Sequence, residues 1–128
     1  MSERKVLILL SDTDPLLARV YRNKFKKNDG WDASITESYD EAKRIIEAEK
    51  PELILSDIIL NNGDGLQLLR DVRKSNIPDI VNTPFVILTD LGQPEDKKIA
   101  EHYGVTLYLV KSEVTINDVV DKIKEMLG

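Results

Sequence analysis

Short apolar runs alternate with longer amphipathic segments along the whole chain. Five of these runs have the length of β-strands. The third run is apolar at nearly every position, which is typical of a strand buried on both faces of its sheet. The predicted strands cover residues 5–10, 31–36, 52–56, 84–89 and 106–110.

Five further segments, between and after the strands, carry apolar residues at helical spacing. Pro15 suits the first position of a helix, and Asp14 before it suits the N-cap. Ser38 begins a Ser-x-x-Glu capping pattern, and Thr115 begins a Thr-x-x-Asp pattern. The predicted helices cover residues 14–27, 41–50, 66–75, 94–104 and 115–127.

This alternation predicts the fold class. Parallel strands need crossover connections, which are right-handed, so five strands alternating with five helices indicate a parallel sheet covered by helices on both faces. We expect one α/β domain of (βα)5 type over residues 1–128, because this length suits a single core. Such folds bind ligands beyond the carboxyl ends of their strands.

Composition narrows the classes of function. Lys and Arg total 18 against 23 Asp and Glu, and the most basic stretch, residues 21–28, is interpreted as the solvated face of a helix. Direct nucleic-acid binding is therefore not expected. The longest apolar stretch, residues 6–10, is far too short to span a membrane, so we expect a cytoplasmic protein. Cys-ligated and His-rich metal sites are excluded, because the chain has no cysteine and one histidine, His102.

Polar side chains collect at the predicted carboxyl ends of the strands. Carboxylates follow the first, third and fourth strands, a hydroxyl ends the fourth, and a lysine follows the fifth. Such a set suits Mg²⁺, which prefers oxygen ligands and commonly shares them with a phosphate, and a lysine can hold a phosphoryl oxygen. The residues concerned are Asp12, Asp14, Asp57, Thr89, Asp90 and Lys111.

Most of these residues also have an ordinary structural interpretation. Asp14 is better explained as a helix cap, while Thr89 alone suits a strand and Lys111 alone suits a solvated surface. Asp57 is different, because it follows a buried strand directly and precedes three apolar residues, 58–60. A buried carboxylate costs free energy unless a partner compensates it. Asp57 is therefore the strongest single candidate.

The chain as a whole resembles the receiver domain of two-component response regulators, the CheY-like superfamily. That family's signature around its phosphoacceptor is similar to PELILSDIILNNGDGLQLLRDVR in this chain. Its fourth strand resembles TPFVILTDLG, its fifth strand resembles YGVTLYLVKS, and its acidic turn and first helix resemble DTDPLLARVYRNKF. The resemblance implies the receiver fold and a signalling phosphoprotein rather than an enzyme.

The resemblance also implies a role for each site residue. Asp57 would accept a phosphoryl group from a histidine kinase or a phosphotransfer protein. Lys111 and Thr89 would bind oxygens of that group, and Tyr108 would turn inward once Thr89 moves. This movement would alter a face formed by the fourth helix, fifth strand and fifth helix, where a downstream protein partner would bind.

The same resemblance implies Mg²⁺ as the cofactor. Its ligands would be Asp12, Asp57 and the backbone carbonyl of Ile59, with Asp14 or Asp90 as a further candidate. The chemistry agrees with this assignment, because phosphoryl transfer to a carboxylate needs charge neutralisation and positioning more than acid–base groups.

Two residues depart from the family pattern. The family has two adjacent acids after its first strand, and the second is replaced here by Thr13, which should weaken Mg²⁺ binding by at least about 10- to 100-fold. A small residue usually follows the position of Thr89, and here that residue is Asp90. The carboxylate of Asp90 either repels the incoming phosphoryl group or restores the charge that Thr13 lacks.

Three functions are compatible with these patterns. The first is a stand-alone receiver domain, phosphorylated on Asp57, whose output we expect to come from protein contacts because the chain ends with the last predicted helix. The second is a receiver-like interaction module with impaired phosphorylation, which Thr13 and Asp90 favour. The third is a haloacid-dehalogenase-type phosphatase, whose Asp-x-Asp motif resembles residues 12–14 and would make Asp12 the nucleophile. Against this third function, the chain has Pro15-Leu16 where Gly-Thr usually follows that motif, and Asp57 would have no role.

Overall fold

Five parallel strands form one sheet. They are β1 (Lys5–Leu9), β2 (Asp32–Thr36), β3 (Leu53–Ser56), β4 (Phe85–Thr89) and β5 (Leu107–Val110). Their order across the sheet is β2-β1-β3-β4-β5, and every neighbouring pair is parallel. The order changes direction between β1 and β3, which is the place where doubly wound sheets leave a crevice at their carboxyl edge.

Helices cover both faces of this sheet. The five long ones are α1 (Pro15–Asp29), α2 (Tyr39–Glu49), α3 (Gly65–Arg73), α4 (Pro94–His102) and α5 (Ile116–Leu127). Buried side chains of α1 and α5 pack on one face of the sheet, and those of α2, α3 and α4 pack on the other. The predicted α/β class with a parallel, doubly covered sheet is confirmed.

The structure, a computed structural model, describes residues 5–10, 15–90 and 92–127, apart from the side chains at positions 15, 28 and 29. The predicted N-cap Asp14 lies outside this description. Within the described ranges, no helix combines the length and the apolar character needed to cross a membrane.

Local hydrogen bonds explain where two of the helices begin. At the start of α5, Asp118 N–H donates to Thr115 Oγ1 at 3.0 Å and Thr115 N–H donates to Asp118 Oδ2 at 2.9 Å, which is a complete capping box. At the start of α2, Glu41 N–H donates to Ser38 Oγ at 3.4 Å. That second box is half formed, because Ser38 N–H donates instead to Thr36 Oγ1 at 3.2 Å.

Besides a 3₁₀ turn after β5, Lys111–Glu113, two short elements go beyond the prediction. Residues 57–65, expected as a plain loop, contain an antiparallel hairpin of Ile59–Leu60 with Gly63–Asp64. Its two-residue turn places Asn62 at a φ of 65°, which asparagine tolerates better than most residues. A single helical turn, Pro78–Val81, also adds a sixth helix to the expected five. Elements of two to four residues are too short to show a hydrophobic period, so the pattern could not indicate them.

The sheet separates two apolar layers. Along β1, Leu7 and Leu9 pack towards α2, α3 and α4, whereas Val6 and Ile8 pack towards α1 and α5. All four residues of β3 are buried, as its continuous apolar character predicts. Asp57, the residue after this central strand, therefore lies at the edge of the core.

Candidate functional site

The backbone of Asp57 continues the central sheet by one residue. Its N–H donates to the carbonyl oxygen of Leu9 at 2.7 Å, and its own carbonyl oxygen accepts from Ser56 Oγ at 2.7 Å. Only 3% of the residue is exposed. These two hydrogen bonds fix the backbone of Asp57 and therefore the position of its Cα, from which the carboxylate side chain extends.

Both carboxylate oxygens of Asp57 have partners. Oδ1 accepts the N–H of Ile58 at 2.7 Å, and Oδ2 lies 3.0 Å from Nζ of Lys111. The two side chains of this ion pair are 5% and 12% exposed. The ion pair and the hydrogen bond offset the desolvation of a carboxylate placed at the core edge. The expectation that Asp57 needs a partner is therefore met by Lys111.

Lys111 lies between two carboxylates. It follows β5 at the start of a 3₁₀ turn, Lys111–Glu113, and its Nζ also lies 3.6 Å from Oδ2 of Asp90. The side chain of Asp90 is 68% exposed, so solvent screens this second contact far more than the contact with Asp57. The ammonium group is consequently bound first to Asp57 and only loosely to Asp90.

Thr89 and Tyr108 lie on the two neighbouring strands β4 and β5. Thr89 is fully buried at the end of β4 and is paired in register with Val110, the residue before Lys111. Tyr108 is half-buried on β5 and packs against the layer of α2, α3 and α4. Burial raises the pKa of its phenol, and the charges of Asp96 and Asp57 raise it further. The strands thus bring both residues to the same end of the sheet as Asp57.

The loop after Asp57 closes through a backbone contact that the sequence analysis missed. Gly65 N–H donates to the carbonyl oxygen of Ile58 at 2.6 Å. A Cβ added at Gly65 would overlap the carbonyl oxygen of Asp57 and come within 3.1 Å of Ser56 Oγ. Glycine is needed here because the chain passes too close to itself for any side chain. The Asp-Gly pair at 64–65 is the feature of the sequence from which this close approach could have been predicted.

The described residues supply part of the predicted metal site. Asp57 contributes a carboxylate with one hydrogen-bond partner on each oxygen, so each oxygen keeps a further lone pair for a hard cation. The predicted ligands Asp12 and Asp14, and the departure Thr13, lie outside the described residues. Within the described part of the chain, no three His, Cys, Asp or Glu side chains come together as a metal site. The oxygen donors present fit Mg²⁺, and the complete ligand set stays a prediction.

The fold and this edge of the sheet together define a class of protein. It is a doubly wound parallel α/β domain in which a partly buried Asp–Lys pair, flanked by a buried threonine, lies at the carboxyl ends of β3, β4 and β5. Comparison with known sequences then identifies the family. The chain belongs to the response regulator receiver domain family, whose sequence model matches residues 8–124.

Individual relatives agree with this assignment. The transcriptional regulatory protein GlrR of Escherichia coli K12 is 31% identical over 111 residues, which cover 87% of this chain but 24% of that protein. The chain therefore spans about a quarter of that relative's length. Receiver domains are signalling domains of two-component systems that interact with histidine kinases or phosphotransfer proteins, and they typically bind Mg²⁺ at an acidic pocket.

Solved structures confirm the fold. The BeF3-activated N-terminal receiver domain of Klebsiella pneumoniae RstA is 26% identical and has a TM-score of 0.80, covering 94% of this chain and 96% of that chain. A CheY-like response regulator receiver domain protein of Methanospirillum hungatei is 26% identical with a TM-score of 0.82, covering 98% and 94% of the two chains.

Proposed function

We propose that this receiver domain accepts a phosphoryl group on the side chain of Asp57. The observation that carries the proposal is the partly buried ion pair at the carboxyl edge of the sheet, with Asp57 Oδ2 3.0 Å from Lys111 Nζ. A carboxylate oxygen would attack the phosphorus of a phosphohistidine in a histidine kinase or a phosphotransfer protein. The new O–P bond forms as the N–P bond breaks, and the electron pair of the broken bond stays on the donor's histidine nitrogen.

The neighbouring residues supply what this transfer needs. Lys111 offers a positive charge to a phosphoryl oxygen, and the hydroxyl of Thr89 offers a hydrogen-bond donor from the adjacent strand end. Mg²⁺ would be held by Asp12, Asp57 and the carbonyl of Ile59, and when bound it neutralises the negative charge of the two reacting groups. Acid–base groups are not required, in keeping with a signalling domain rather than an enzyme.

The output would be a change in a protein-binding surface. We assign it to the face of α4, β5 and α5, since Tyr108 lies on β5 and is half-buried within electrostatic range of Asp57. A phosphoryl group on Asp57 would compete for Lys111 and Thr89, and Tyr108 would follow the displacement of Thr89. This links the chemistry to a surface that a downstream partner could sense.

Incubation with acetyl phosphate and Mg²⁺, followed by mass mapping of the modified residue, tests the proposal. Labelling is expected on Asp57, abolished in Asp57→Asn and unchanged in Asp79→Asn, which removes an exposed carboxylate on the Pro78–Val81 turn. Labelling at Asp12 would instead support the phosphatase alternative, which the family match does not favour. Absence of labelling in the unmodified protein would contradict the proposal.

One observation favours the second candidate, a receiver-like module with impaired phosphorylation. Asp90 Oδ2 lies 3.6 Å from Lys111 Nζ, so a resident carboxylate already approaches the cation that should hold the phosphoryl oxygen. Mg²⁺ titration of Asp90→Ala separates the two roles of this residue. Weaker Mg²⁺ binding in the variant would mean that Asp90 compensates for Thr13. Unchanged or tighter binding, with faster labelling of Asp57, would mean that Asp90 obstructs the site.

A further inference from the structure

The hairpin that follows Asp57 is fastened at its tip to the segment before α2. Asn61 N–H donates to the carbonyl oxygen of Glu37 at 3.0 Å, and Tyr39 N–H donates to the carbonyl oxygen of Asn61 at 2.9 Å. Together these bonds form an isolated parallel bridge beyond the main sheet. The tip therefore moves only if it breaks both bonds or takes the start of α2 with it.

The side chain of Tyr39 secures the returning arm of the same hairpin. A Cβ added at Gly63 would lie 2.7 Å from Cγ, 2.8 Å from Cδ2 and 3.0 Å from Cβ of Tyr39. The ring thus lies directly against the backbone of Gly63, and no side chain other than hydrogen fits between them. Tyr39 is buried and belongs to the same apolar cluster as Leu60 on the outgoing arm.

A third group holds the ring itself in place. The hydroxyl of Tyr39 donates a hydrogen bond to Oδ2 of Asp71, on the neighbouring helix α3. Asp71 is positioned in turn by Lys43 Nζ at 3.7 Å and by Arg70 Nε at 3.9 Å. Lys43 also lies over the ring of Tyr39, 5.6 Å from its centre, at a distance where a cation and an aromatic face attract. The ring is therefore fixed by contacts on two helices.

The two ends of the hairpin are held differently. At its base, Gly65 N–H donates to Ile58 carbonyl oxygen, and Asp57 is part of the central sheet. At its tip, the contacts just described all pass through residues 37–39. Between base and tip lies Ile59, a residue that is 58% exposed and contributes little packing of its own. The position of the Ile59 backbone is therefore set by the hydrogen bonds at the base of the hairpin and by the contacts of Tyr39.

We propose that Tyr39 is a positioning residue for the phosphorylation site. Through the backbone of Asn61 and the surface of Gly63, it fixes the hairpin whose Ile59 carbonyl is the proposed third ligand of Mg²⁺. A carbonyl that fluctuates by a fraction of an ångström would bind Mg²⁺ less well, since this ion demands near-ideal geometry. The inference rests on the proposed function for its metal step, while the anchoring of the hairpin stands independently.

Hydrogen exchange in the metal-free protein tests the anchoring. Tyr39→Phe keeps the ring against Gly63 and removes the bond to Asp71, a loss of about 1.4 kcal/mol that corresponds to roughly 10-fold faster local opening. We expect the amide of Asn61 to exchange about 10-fold faster, while that of Gly30, bonded to Lys26 at the end of α1 on the other side of the sheet, opens by local fraying and keeps its rate. Tyr103→Phe, which removes a tyrosine hydroxyl at the end of α4, is the control and should change neither amide.

Calorimetric titration of the unphosphorylated proteins with Mg²⁺ tests the metal step. Tyr39→Phe should bind Mg²⁺ several-fold more weakly, Tyr39→Ala more weakly still, and Tyr103→Phe like the unmodified protein. Unchanged exchange at Asn61, equal acceleration at Gly30, or unchanged Mg²⁺ affinity despite faster exchange would each overturn the inference. Absence of Mg²⁺ binding in the unmodified protein would count against the proposed function, and the exchange result alone would then decide whether Tyr39 anchors the hairpin.

Discussion

Gly65→Ala is the substitution for which the structure predicts the sharpest effect. The new methyl carbon would overlap the carbonyl oxygen of Asp57 and approach Ser56 Oγ to 3.1 Å. Neither neighbour can give way easily. The carbonyl of Asp57 already accepts from Ser56 Oγ at 2.7 Å, and the amide of Asp57 is bonded to Leu9 in the sheet.

The size of the effect follows from three contributions. Overpacking a rigid site costs about 1–3 kcal/mol, and a clash with backbone belongs at the upper end of that range. Weakening the bond from Gly65 N–H to the carbonyl of Ile58 costs about 1 kcal/mol more. Alanine recovers up to about 1 kcal/mol as a better helix former than glycine at the start of α3. We therefore expect a net loss of about 2–3 kcal/mol in the free energy of unfolding.

Urea unfolding followed by circular dichroism measures this loss. With a typical urea dependence of about 2 kcal/mol per molar, the midpoint should fall by roughly 1–1.5 M. Gly92→Ala is the matched control, because among the described residues its Cβ would meet only the methyls of Val110 at 3.6 and 3.7 Å, which is ordinary contact. We expect the control to change stability by less than about 0.5 kcal/mol. Equal stabilities of the two variants would refute the argument from close approach.

Three further predictions concern ion pairs and hydrogen bonds. Lys111→Met leaves the buried Asp57 without its cation and should lower the free energy of unfolding, measured in urea, by about 2–4 kcal/mol. Adding Asp57→Asn to the same chain should restore most of this loss. Additive losses in the double variant would contradict the pairing. Arg73→Lys should lower the free energy of unfolding by about 1–2 kcal/mol, since the guanidinium donates to three backbone carbonyls that one ammonium cannot reach together. Thermal unfolding measures this loss. A loss below about 0.5 kcal/mol, the size of an ordinary surface change, would contradict the prediction. Hydrogen bonds from Thr115, first from its backbone N–H and then from its hydroxyl, lower the pKa of Asp118 below its ordinary value of 3.8. The stability that the Asp118 carboxylate contributes is therefore present above pH 3.8 and is lost as the pH falls through the lowered pKa. The stability gap between the unmodified protein and Asp118→Asn should therefore shrink below about pH 3.8, and a constant gap would refute the linkage.

The order and type of the long elements were predictable from local pattern. Apolar runs of strand length and amphipathic segments of helical length each depend on residues close together in the chain, and a capping box such as that at Thr115 is a local motif. Element boundaries shifted by one or two residues, and the Pro78–Val81 turn was missed because four residues hold too little periodicity. The right-handed crossover then made the carboxyl ends of the strands the place to search for a site.

The candidate site was predictable in its members and less so in its contacts. Asp57, Thr89 and Lys111 could be selected because each lies at or directly after a strand end, whereas Tyr108 was indicated by the family resemblance alone. Their convergence at one edge of the sheet was expected, but the direct contact of Asp57 Oδ2 with Lys111 was not, because the two residues are 54 positions apart and their distance depends on the order of β3, β4 and β5. The approach of Asp90 to Lys111 likewise depends on how two loops emerge from neighbouring strands.

The sequence by itself determined the alternation of elements, the fold class and the candidate residues of the site, since these follow from hydrophobic period and side-chain type. Only the tertiary structure decided which oxygen of Asp57 faces Lys111, why residue 65 must be glycine and how Tyr39 contacts the hairpin that follows Asp57. Each of these depends on distances between segments remote in the chain, and close packing makes such distances selective to a few tenths of an ångström.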